Sequence, residues 1–86
     1  MTDPAPLELL IFEEKMVLST PFKTVELSLA DVDRASAVTH YERVQFYRFR
    51  HGASSHLSQV GDIICLGYTI SAQNLAEMIN QALRQK

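Results

Sequence analysis

ISAQNLAEMINQALR, residues 70–84, reads as an amphipathic helix with its start signal written in front of it. Ser71 is an N-cap residue whose hydroxyl is placed to accept from the amide of Gln73 or Asn74. Ile70 and Leu75 take the two positions of a hydrophobic staple. Leu75, Met78, Ile79, Ala82 and Leu83 follow the i, i+3, i+4, i+7, i+8 spacing of one apolar stripe. Gln73, Asn74, Glu77, Asn80, Gln81 and Arg84 take the opposite face. Arg84 and Lys86 fall in the last turn, where positive charge suits the helix macrodipole. Such a helix must bury its stripe, and the preceding residues have to supply the surface.

Those residues read as strands. Residues 62–70, DIICLGYTI, are apolar on both faces, as in a central strand covered on both sides, or covered on one side and paired with another subunit on the other, and Val60-Gly61-Asp62 supplies a turn into it. Residues 41–50, YERVQFYRFR, form a second strand with Val44 and Phe46 on one face and Tyr47 and Phe49 on the other. The change of apolar face between Phe46 and Tyr47 predicts a bulge or two-sided burial. Residues 51–59 are small and polar and read as a loop between antiparallel neighbours. A third strand lies over 22–29, with Val25, Leu27 and Leu29 inward and Thr24, Glu26 and Ser28 outward.

Ser28 followed by Asp31 resembles a capping box and predicts a short helix through Val38, with a loop as the alternative. Residues 7–19 fit a helix in part, through Leu7, Leu10, Ile11 and Leu18. Glu14 would spoil that stripe, so the adopted reading is a hairpin: strands over 7–12 and 16–19 flank a turn at Glu13-Glu14-Lys15. The fold class is therefore α+β: a small, mainly antiparallel sheet of about three to four strands with the C-terminal helix packed on one face. Residues 1–6, with two prolines, form a flexible N-terminal lead-in, and 7–86 form one small domain.

Composition narrows the function classes. The chain has 47% hydrophobic and 21% charged residues, an ordinary globular balance. A net charge of −2 points to neither nucleic acid nor an anionic membrane. The charge is uneven: residues 1–40 hold seven acids and three bases, residues 41–86 three acids and five bases. No apolar stretch approaches the ~20 residues of a membrane span. The N-terminus lacks the basic region of a secretory signal, and a cytoplasmic protein is expected. Cys65 is the only cysteine, so no intrachain disulfide forms, and its apolar neighbours make it a structural thiol with a raised pKa.

Chemical motifs are sparse. His51 and His56, with His40 as a third ligand, could hold a metal, but no fourth ligand is placed by the sequence. Ser54 or Ser55 beside these histidines lacks an orienting acid and a nucleophile elbow. Gly61 and Gly67 make no phosphate-binding fingerprint. Glu13-Glu14 reads as a solvated turn. No catalysis and no cofactor are expected. Arg43, Arg48 and Arg50 interleave with aromatics, as in a sheet that stacks unpaired bases, although the acidic total works against that partner.

The expectation that follows is a non-catalytic interaction module, self-associating as a homodimer or binding a protein partner. It rests on coverage. One helix covers one face of the sheet, and segment 29–38 is barely long enough to cover the other. The contact surface is assigned to Phe46, Tyr47 and Phe49.

Overall fold

The computed structural model describes residues 3–50 and 56–85, with the backbone alone for 49, 50 and 56–58. Among these residues six strands and one α-helix run in the order β1 (Glu8–Ile11), β2 (Lys15–Ser19), β3 (Thr24–Ser28), β4 (Arg34–Val38), β5 (Arg43–Arg50), β6 (His56–Ile64) and α1 (Ala72–Arg84). The class is α+β, and every strand pairing is antiparallel. The strands divide into two three-stranded sheets, ordered β1-β2-β3 and β4-β5-β6. Buried residues of both sheets and of α1 form one apolar cluster, with Met16, Leu18, Val44, Phe46, Leu75 and Ile79 at its centre.

The first sheet follows the alternation of its sequence. Met16 and Leu18 of β2 point into the core beside Val25 and Leu27 of β3, and Glu8, Lys15, Thr24, Glu26 and Ser28 point to solvent. The β1–β2 hairpin closes at Glu13-Glu14, where the Phe12 amide donates to the Lys15 carbonyl at 2.8 Å. The lead-in carries structure as well. Ala5 forms a parallel bridge to Tyr68, donating to Gly67 and accepting from Thr69, each at 2.9 Å.

In the second sheet the bulge falls where the apolar face changes. Phe46 pairs with Gly61 and Tyr47 with Gln59, so Val60 is the extra residue. Val60-Gly61-Asp62 is therefore not a turn but part of β6. Gly61 serves the packing there: the Phe46 ring lies 3.7 Å from the point its Cβ would occupy, an aromatic side chain covering a strand glycine. β6 is an edge strand and ends at Ile64, not a central strand over 62–70. The chain leaves it through a turn in which the Tyr68 amide donates to Cys65 and Gly67 takes φ +88°, a conformation glycine adopts without a Cβ penalty. The expected 51–59 loop shortens because β6 pairs with β5 back to His56.

Segment 29–38 is not a helix. Ser28 accepts from the Asp31 amide in a turn, and residues 34–38 form β4. The second sheet thus comes from a segment whose alanines and capping-like start favour a helix locally, and pairing with β5 overrides that preference. α1 starts as its sequence indicates, with the Ser71 hydroxyl accepting from the Asn74 amide at 3.2 Å. Its buried stripe is Ala72, Leu75, Ala76, Ile79, Ala82 and Leu83, while Met78 is exposed. The stripe is thus turned toward Ala72 and Ala76, away from the flank that carries Met78.

Candidate functional site

The residues that the sequence marks as chemically interesting do not converge. His40 is exposed on a short 3-10 turn, His40–Glu42, its ring edge-on to Tyr41 with centroids 4.1 Å apart. His51 and the side chain of His56 lie outside the described residues, as do Ser54 and Ser55. Among the described residues no group of three or more His, Cys, Asp and Glu is placed to hold a metal ion.

The arginine strand is divided. Arg43 lies on the outer face of β5, parallel to Tyr47, with its Nε 3.5 Å from an Asp62 carboxylate oxygen. Arg48 has the opposite parity and lies 3.7 Å from Asp31. Both guanidinium groups are neighboured by carboxylates and face different ways, and the side chain of Arg50 lies outside the described residues. Phe46 is 1% exposed and belongs to the core, so it offers no contact surface. Tyr47 is half-buried and donates its hydroxyl to Gln45 at 2.6 Å. The side chain of Phe49 lies outside the described residues.

Two places carry more structure than the sequence discloses. The first is Glu42. Tyr41 and Glu42 both take positive φ, +62° and +49°, a conformation that costs a non-glycine residue roughly 1–2 kcal/mol. Glu42 ties three segments together in return. Its carbonyl accepts from the Cys65 amide at 2.6 Å, and its carboxylate accepts from the Ala72 amide at 3.1 Å. Negative charge at the first turn of α1 is where the helix dipole favours it. A groove of about 410 Å³ opens beside it, between Ala37, Val38, Thr39, Ser71 and Gln73. The Glu42 carboxylate already satisfies the helix end within that groove.

Cys65 sits behind this node. It is 2% exposed, and burial followed by the nearby Glu42 carboxylate pushes its thiol above the ordinary value. The neutral thiol is favoured in the folded chain. The stability this represents is complete below the ordinary thiol range and is lost as pH rises through the raised one. In native buffer near pH 8, Cys65 is expected to react with an aromatic disulfide reagent far more slowly than the same chain in urea. Equal rates in the two solvents would contradict the burial.

The second place is β1. Leu10, Ile11 and Phe12 are consecutive, apolar and 44%, 55% and 51% exposed. By register Leu10 adjoins Val17, which adjoins Glu26, on the outer face of the first sheet. Lys15 pairs with Glu26 at 3.1 Å and lies 5.9 Å from the centre of the Phe12 ring. Ile11 also borders a groove of about 450 Å³ shared with Leu29, Ala82 and Gln85. β1 is an edge strand. The Phe12–Lys15 bond sets the ladder so that Glu8 and Leu10 bond to β2, while the amides and carbonyls of Leu9 and Ile11 point outward. Toward the N-terminus that edge is closed, by the 67–69 segment at Ala5 and by the Thr69 hydroxyl, which accepts from the Leu7 amide at 3.4 Å. Among the described residues nothing closes it at Leu9 and Ile11.

This surface was not assigned from the sequence. Its apolar run is visible there, but an edge exists only once the strand order is known. No protein-family model, curated protein or solved structure matches the chain.

Proposed function

We propose that the chain is a small protein-interaction module without a catalytic step, which self-associates through the apolar surface of β1 and its turn. The supporting observation is that three consecutive large apolar residues, Leu10, Ile11 and Phe12, are exposed together on an edge strand and its turn. The coverage argument from sequence no longer supplies the reason, because the second sheet provides cover from within the chain. The reason is now the strand itself. An apolar edge strand with open backbone groups is a template for another strand, and proteins otherwise blunt such edges with charge, proline or a covering element.

No helix among the described residues is long and apolar enough to cross a membrane. The nucleic-acid reading loses support, because Arg43 and Arg48 each face a carboxylate. Light scattering after size-exclusion chromatography tests the proposal. A mass near twice 9.7 kDa is expected at high concentration, falling on dilution and nearly independent of salt. A mass of 9.7 kDa from micromolar to millimolar concentration would reject it.

A further inference from the structure

We infer that the partner is a second copy of this chain, joined by antiparallel pairing of β1 with β1 across a two-fold axis at Leu10. This rests on the self-association proposed above and specifies its surface. The open backbone groups decide the register. Leu9 and Ile11 are the residues of this edge whose amides and carbonyls point outward with no partner among the described residues. A two-fold axis at Leu10 sets Leu9 opposite Ile11 of the second copy, and Ile11 opposite its Leu9. Both open residues of each chain then find partners, and the two sheets become one of six strands.

Neighbouring registers fail on this structure. An axis at Leu9 would set Ile11 opposite Leu7, whose amide already donates to Thr69. An axis at Ile11 would set Leu9 opposite Glu13, which is an exposed turn residue and not part of the strand. The side chains suit the register at Leu10 as well. On the outer face Leu10 meets its own copy, at the closer spacing of a non-hydrogen-bonded pair. Glu8 meets Phe12 of the second copy, where Lys15 overhangs the ring, so opposite charges come together at both ends. On the inner face the exposed Ile11 is covered by Leu9 of the other chain. The two-fold axis repeats each contact, so the surface is complementary to itself.

Leu10→Cys tests the register. Two such thiols would lie within disulfide reach across the axis, since non-hydrogen-bonded pairs bring Cα atoms to roughly 4.5 Å. With oxidised glutathione as oxidant, Leu10→Cys is expected to form a covalent dimer. Wild type, whose Cys65 is buried, and Phe22→Cys, 77% exposed in the β2–β3 turn, are expected to stay uncrosslinked. Ile11→Pro supplies a second measurement. The Ile11 amide points away from β2, so proline leaves the hairpin ladder intact, and far-ultraviolet circular dichroism should be unchanged. The dimer dissociation constant is expected to rise about tenfold or more. A wild-type dimer in which Leu10→Cys crosslinks no faster than Phe22→Cys, or which Ile11→Pro leaves intact, would overturn the β1 pairing and leave self-association standing. A wild-type monomer at every concentration would overturn both.

Discussion

Phe46→Ala is expected to lower the unfolding free energy by about 3–5 kcal/mol, enough to leave much of the chain unfolded near 37 °C. A chain of 86 residues has a total stability of about 4–13 kcal/mol, so the loss is a large share of the whole. The size follows from where Phe46 sits. It is among the largest fully buried side chains, at 1% exposure in the central strand of the second sheet. It pairs with Ala35 on one side and Gly61 on the other, two residues too small to fill the space its ring would vacate. Collapse of the cavity would have to come from α1 or from Met16 and Leu18 across the core. Phe46→Leu keeps part of the volume and is expected to cost about 1–2 kcal/mol. Urea denaturation followed by circular dichroism measures both. A change under about 0.5 kcal/mol for Phe46→Ala would mean that Phe46 is not in the core.

That residue also shows what could be read before the structure. The switch of apolar face between Phe46 and Tyr47 marks the bulge, because alternation along a strand is a local property. Grouping Phe46 with Tyr47 and Phe49 as contact surface overlooks that the switch puts Phe46 on the other face, which is the buried one. The helix, the β1–β2 hairpin and β3 were equally legible, since caps, turns and alternation are written within a few residues. β4 was not. Ala35 and Ala37 carry little strand preference, and Ser28 with Asp31 imitates a helix start. Its strand state comes from pairing with β5, the next strand, and from α1, which lies far along the chain. Val60-Gly61-Asp62 misled for a related reason: glycine suits a turn, but Gly61 faces an aromatic ring on the neighbouring strand.

The candidate site divides in the same way. The apolar character of Leu9-Leu10-Ile11-Phe12 is plain in the sequence. Its availability is not, because openness depends on strand order and on where residues 67–69 return to the lead-in. Sequence reasoning placed the need for a partner on an uncovered sheet face. The structure closes that face with a second sheet and leaves an edge open instead.

The same logic of open edges gives the second large effect, at β4. Asn80 lies on the polar face of α1 by its spacing, yet its carboxamide is turned to the outer edge of β4. The Oδ1 accepts from the Ala35 amide and the Nδ2 donates to the Ala35 carbonyl, both at 2.8 Å. One side chain thus supplies the donor and the acceptor that another strand would have offered, and it ties α1 to the second sheet. Asn80→Ala would leave both groups without a partner at a residue only 2% exposed. A loss of about 2–4 kcal/mol is expected, larger than for a solvated helix position, together with faster hydrogen exchange at the Ala35 amide. Asn80→Asp separates the two bonds. The ionised carboxylate still accepts from the amide but sets a second acceptor against the Ala35 carbonyl. Protonation below about pH 4 restores a donor. The deficit of Asn80→Asp relative to wild type should therefore be largest near neutral pH and shrink as pH falls through the carboxyl range, while that of Asn80→Ala should not. Equal deficits at every pH would mean that the carboxamide's donor contributes nothing at the edge. That result would confine the part played by Asn80 at the edge of β4 to accepting from the Ala35 amide.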